Sequence, residues 1–134
     1  MQNKEYLFVY GTLRKAFNHP LYHFLSRHAE LVGIGTFRGK LYDLGPYPAA
    51  VPSEKPSDKV IGEVYELRGT KRLFGLLDEY EGPRFWRRKA PIMLWGGRKV
   101  ISWLYLYRRE TTGLKPIVSG DYVRFRQSKA GNSF

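Results

Sequence analysis

Apolar positions along the chain follow two periods, and the switches between them predict the elements. Residues 6–10, Tyr6-Leu7-Phe8-Val9-Tyr10, form an unbroken apolar run that stops at Gly11, the pattern of a buried strand breaking into a turn. Pro20, whose fixed φ suits a first helical turn, opens a short helix predicted to bury Leu21, Phe24 and Leu25. Residues 29–43 mix β-branched and aromatic residues with glycines and read as one long bent strand or two. Residues 45–56 read as a proline-rich loop. Residues 60–67 alternate as a strand, residues 71–80 carry helical periodicity, and residues 86–94 resume strand. Gly96-Gly97 marks a hairpin into residues 98–107. Beyond Asp121 the chain turns basic and polar, and residues 124–134 are expected to be a tail, frayed or an added strand followed by disorder. A single α+β domain over residues 1–123, without repeat or linker, accounts for the pattern.

In the helix over residues 71–80, Leu73, Leu76, Leu77 and Tyr80 follow the i, i+3, i+4, i+7 spacing of a buried stripe. At about 100° per residue, Glu81 then projects between Leu77 and Phe74, at the edge of that stripe. Asp78 falls beyond Phe74 toward solvent, and Glu79 lies on the far side. Glu81 is therefore the acid expected to be partly desolvated, which raises a carboxyl pKa and makes a stronger base near neutrality. Taken alone, an acid at a helix end is more simply read as a solvated residue. The turn after the first strand, Tyr10-Gly11-Thr12-Leu13, adds backbone N–H groups, an inexpensive receptor for carboxylate or phosphate. Along residues 100–107, Ile101, Trp103, Tyr105 and Tyr107 share one face, with Ser102, Leu104 and Leu106 on the other. Tyr105 is the candidate donor to charge developing on a carbonyl oxygen, whereas Trp103 and Tyr107 read as packing.

With 134 residues and 43% hydrophobic content the chain can bury one core. It has no cysteine, hence no disulfide framework and no thiol chemistry. Nothing resembles a signal peptide or a membrane span, so a cytoplasmic protein is expected. Lys and Arg number 23 against 12 acids, a formal net charge of +11. The cations gather around Arg84, Arg87, Arg88 and Lys89, at Arg98 and Lys99, at Arg108 and Arg109, and at Arg124, Arg126 and Lys129, with aromatics between them. That supports a second reading, a polyanion or nucleic-acid binder, although no specific recognition motif is present. His19 and His23 have the spacing of a helical metal pair but no third ligand, so a structural role is expected and no metal is assigned. Gly33, Gly35 and Gly39 lack the dinucleotide spacing, and there is no phosphate-binding loop or nucleophile elbow, so no cofactor is assigned. Arg14 follows the first turn, where it could contact a carboxylate or lie on the surface.

In order and spacing, Tyr10-Gly11-Thr12-Leu13, Asn18-His19, Gly33-Ile34-Gly35, Tyr47-Pro48, Gly62-Glu63-Val64-Tyr65, Leu77-Asp78 with Glu81-Gly82, and Gly120-Asp121 resemble the gamma-glutamylcyclotransferase-like family, particularly its gamma-glutamylamine cyclotransferase branch. The resemblance implies a small, barrel-like mixed sheet with a few short flanking helices around one polar cavity. It implies Glu81 as general base, the backbone of residues 10–13 as holder of the substrate's α-carboxylate, and release of 5-oxoproline from a small gamma-glutamyl amine or amino acid. In that chemistry the substrate's own α-amine attacks its γ-carbonyl, so the protein need only fold the substrate and move a proton. Two positions depart from the pattern: Trp86 stands where relatives commonly have tyrosine, and Arg14-Lys15-Ala16-Phe17 replaces a usual glycine. A ligand-binding member without turnover is a third reading.

Overall fold

Residues 29–43 form one strand, and its bending closes the sheet. The computed structural model describes residues 4–131. The strands are β1 (Glu5–Val9), β2 (Ala29–Asp43), β3 (Pro48–Pro52), β4 (Lys59–Leu67), β5 (Phe85–Leu94), β6 (Lys99–Tyr107) and β7 (Lys115–Pro116). The helices are α1 (Pro20–His28), α2 (Lys71–Glu81) and α3 (Tyr122–Gly131), with a 3-10 turn at Lys15–Phe17. The order β2-β4-β1-β6-β5 returns to β2 through Gly35↔Leu94 and Thr36↔Met93, a five-strand barrel-like ring onto which β3 and β7 add beside β2. Gly35 permits that closure: a Cβ there would stand 2.8 Å from Ile92 Cγ2 and 3.2 Å from the Met93 carbonyl.

β1 lies at the centre, antiparallel to β4 and parallel to β6. Both its faces are covered, which explains the unbroken apolar run of residues 6–10. Phe8 and Tyr10 join Val64, Leu104 and Tyr122 in the barrel interior. Leu7 and Val9 join Leu25 of α1, Leu73 and Leu77 of α2, and Phe85 in a second core on the other face. Of the three residues predicted to be buried by α1, Leu25 is fully so, while Leu21 and Phe24 are half-buried against the same core.

Three expectations are corrected. The proline-rich stretch contains β3, paired through residues 48–52 with β2. Its prolines fit because β3 is an edge strand, where a missing N–H costs no ladder bond. As far as residue 131 the basic tail is neither frayed nor an added strand but the helix α3, so a boundary at 123/124 would cut it; the rest of the expected tail, residues 132–134, lies outside the described residues. Asp121 opens that helix, its Oδ1 accepting from the Arg124 N–H at 3.2 Å, and Tyr122 and Phe125 stack one turn apart against the barrel core. Finally, the face that α2 buries is Leu73, Phe74 and Leu77, with Leu76 and Tyr80 more than a third exposed. Phe74 draws the helix round because it packs edge-on against Trp103 of β6, ring centres 5.5 Å apart. That rotation moves Glu81 from the edge of the stripe into the buried sector.

Candidate active site

The end of the central strand, the end of α2 and the lip of β3 enclose a cavity of about 360 Å³. Its lining brings together every candidate site residue from the sequence: Tyr10, Gly11, Thr12, Leu13, Glu81 and Tyr105. It also includes residues to which sequence reasoning gave no site role: His19, Pro46, Tyr47, Pro48 and Tyr80. The Tyr47-Pro48 and Asn18-His19 pairs were the visible signals for these.

Glu81 is the last residue of α2. Gly82, with φ of +78°, turns the chain at once and returns its N–H to the Asp78 carbonyl at 3.1 Å, so the helix stops with Glu81 facing the cavity. Among the described residues the Glu81 side chain has no hydrogen-bond donor and no ion-pair partner. Burial alone pushes its carboxyl up from 4.5 to about 7.

Opposite stands the turn after β1. The Arg14 N–H closes it on the Gly11 carbonyl at 3.0 Å, and among the described residues the N–H groups of Gly11, Thr12 and Leu13 donate to no protein acceptor. Three unspent donors at the end of a buried strand are chemically suited to receive an anion. The hydroxyls of Thr12 and Tyr80, 2.8 Å apart, tie this turn to α2 one residue before the carboxylate.

The tyrosines are largely committed elsewhere. Tyr10 donates to the Tyr105 carbonyl at 2.5 Å and accepts from the Ala50 N–H at 3.3 Å, so it fastens β1 to β6 and β3 and contributes a wall rather than a free hydroxyl. Burial, reinforced by the charge of Glu81, keeps that hydroxyl protonated. The Tyr105 hydroxyl donates to Asp78 Oδ1 at 2.5 Å, so the proton wanted for a developing oxyanion is already engaged. Asp78 also accepts from Arg87 at 3.0 and 3.3 Å. Burial opposes its charge, but the bonds from Arg87 and Tyr105 outweigh that and hold the carboxyl below its ordinary value. Trp86, the departure from the family pattern, lies outside the cavity, half-exposed, with the Arg88 and Arg108 guanidiniums 4.1 and 5.0 Å from its ring centre.

Arg14 neither lines the cavity nor lies on the surface. Only 7% exposed, it donates through Nε to Glu63 Oε2 at 3.1 Å and through Nη1 to Asp121 Oδ1 at 2.9 Å. Glu63, 6% exposed, also accepts from the Lys15 N–H and the Tyr65 hydroxyl, each at 2.9 Å. This network anchors the residue after the anion-receptor turn to β4 and to the start of α3. It explains the Gly62-Glu63 and Gly120-Asp121 signatures as scaffolding. His19 caps α1, its Nδ1 accepting from the Leu21 N–H at 3.0 Å, while His23 bonds Asn18 at 2.6 Å, so the two histidines serve separate partners.

Comparison with known proteins agrees with this geometry. Residues 7–124 match the family described as gamma-glutamyl cyclotransferase, AIG2-like. Protein MJ1514 of Methanocaldococcus jannaschii, provisionally named a gamma-glutamylcyclotransferase, is 38% identical over 127 residues, 91% of this chain and 98% of its own length. The gamma-glutamylcyclotransferase family protein YtfP of Escherichia coli K12 is 33% identical over 118 residues, 87% of this chain and 95% of its own. In fold, the chain is similar to an AIG2-like protein from Mus musculus, with a TM-score of 0.69 at 22% identity over 90% of this chain and 89% of the other. Sequence order, barrel and cavity thus converge, and the chain belongs to the gamma-glutamyl cyclotransferase, AIG2-like family.

Proposed function

We propose that this protein cyclises a small gamma-glutamyl amine or amino acid, releasing 5-oxoproline, with Glu81 as general base. The observation that carries the reading is an unpartnered carboxylate, raised to about 7, facing three unspent N–H groups across one cavity. The α-carboxylate of the substrate sits on the N–H groups of Gly11, Thr12 and Leu13. This leaves the α-ammonium toward Glu81, which removes one proton. The freed nitrogen attacks the γ-carbonyl carbon and a C–N bond closes the five-membered ring; Glu81 passes that proton to the departing nitrogen as the old amide C–N bond breaks, and then takes the second proton from the ring nitrogen, leaving a neutral lactam. Reaction within one folded substrate gains from proximity rather than from a protein nucleophile, so no covalent intermediate is needed. Base catalysis supplies roughly 10²- to 10⁴-fold. The family membership supports the reaction class, and the cavity size suits a ligand of amino-acid to dipeptide dimensions.

The test is mass-spectrometric detection of 5-oxoproline from a panel of gamma-glutamyl amines and amino acids, with the native protein and Glu81→Gln. Release by the native protein and its loss in the variant are expected. Release that persists in the variant would remove Glu81 from the role, and binding without release by either protein would favour a ligand-binding member of the fold.

A further inference from the structure

The barrel has an open seam. β2 and β5 pair only at Gly35↔Leu94 and Thr36↔Met93; beyond that, β2 continues with β3 while β5 continues with β6, and the two strands part. Between them lies a second cavity of about 790 Å³, away from Glu81. Cations line both walls: Arg38 of β2 and Lys59 of β4 on one, Arg88 of β5 and Lys99 of β6 on the other. No carboxylate lines it, and among the described residues these four form no ion pair, although the Arg88 guanidinium also rests on Trp86 and donates to the Arg87 carbonyl at 3.1 Å; Lys89, a fifth cation on the rim, is held by Glu5 at 3.6 Å. Arg38 stands directly opposite Lys59 in the β2–β4 ladder. Like charges facing across strands destabilise a sheet, so this pairing costs the free protein stability that an anion between them would restore. Between the cations the walls are apolar and open, with Pro52, Pro56, Pro91 and Met93 exposed.

We infer that this seam is a second binding site, for a nucleotide-type ligand whose phosphates lie among Arg38, Lys59, Arg88 and Lys99 and whose flat ring rests on the proline and methionine wall. A compact ligand fits better than a polymer strand because the cations face one cleft from two sides, within the size range of small-molecule pockets. This site is independent of the cyclisation chemistry.

The probes are ATP, inorganic triphosphate and a single-stranded RNA of about twelve nucleotides, titrated calorimetrically at about 0.15 M salt. ATP is expected to bind at one site, with inorganic triphosphate competing more weakly. Arg38→Gln/Lys99→Gln should weaken ATP by about a hundredfold, since each of the two lost charge-assisted contacts is worth roughly tenfold. Lys71→Gln/Arg72→Gln, an equal charge change on α2, should leave ATP affinity within about twofold. As a second readout, Arg38→Gln alone should raise the melting temperature of the free protein by about 1–3 °C while reducing the stabilisation that ATP adds. Absence of ATP binding, equal weakening by the α2 control, or RNA binding that ATP cannot displace would each overturn the assignment, the last in favour of a nucleic-acid surface.

Discussion

Two glutamates, the buried Glu63 and the half-buried Glu81, show how surroundings can fit one side chain for two different tasks. Glu63 is met by the Arg14 guanidinium, the Lys15 N–H and the Tyr65 hydroxyl, all within 3.1 Å. Glu81 meets no protein donor among the described residues and faces a cavity. A carboxylate whose lone pairs are already filled holds the fold together. One left unfilled carries a desolvation cost that protonation or a substrate's ammonium would relieve, the property that the proposed base role requires. The Glu63 network fixes the turn on which the substrate would rest, so the two sites are coupled through Arg14 while differing in what their loss should do.

The largest contrast is expected from exchanging each acid's critical feature. Glu81→Gln should lower the turnover number by about 10²- to 10⁴-fold while leaving the protein folded. Its effect on stability should have the opposite sign. The folded carboxyl is raised from 4.5 to about 7, so its protonated form is the one folding favours. The native protein therefore loses stability as pH rises from 4.5 through 7, on the order of 3 kcal/mol in all, and the uncharged variant does not. Urea denaturation should show the two proteins alike below pH 4.5 and Glu81→Gln more stable above pH 7.

Arg14→Met breaks the other site. It leaves Glu63 and Asp121 without their cation and should cost about 3–5 kcal/mol in urea denaturation, with much of this recovered in Arg14→Met/Glu63→Met. A loss below about 1 kcal/mol would mean that the network is not the anchor of the turn. Tyr105→Phe should have a smaller effect. It removes the bond to half-exposed Asp78, costing about 1 kcal/mol of stability, and should change kcat by less than about tenfold because that hydroxyl is already engaged. A hundredfold loss would restore Tyr105 as an oxyanion donor. Thr12→Val should be mildest: losing the contact with Tyr80 loosens the turn and is expected to raise KM a few-fold with kcat nearly unchanged.

The central strand and the strands around it were legible from local signatures, an unbroken apolar run and glycine punctuation, whereas the barrel-like closure came only with the family resemblance, and the angle of Glu81 on its helix gave its place beside the buried stripe but not its role. What remained hidden depends on partners distant in sequence. Arg14 becomes structural only because Glu63 and Asp121 fold against it, 49 and 107 residues away. β3 was masked by prolines that are tolerated because another strand covers just one of its edges. α3 was masked by its basic composition, although Asp121 followed by the Tyr122 and Phe125 spacing was a start signal. The tilt of α2 was set by Trp103, in another strand, which no periodicity in residues 71–80 encodes.

The most direct test is the pH dependence of kcat/KM for 5-oxoproline release by the native protein, which reports the ionisation of the free protein's essential base. Activity should rise with pH along a limb with its midpoint at about 7, where burial places the Glu81 carboxyl. A limb at the ordinary carboxylate value near 4.5 would mean that Glu81 is solvated and paired like any surface acid, and would contradict the account.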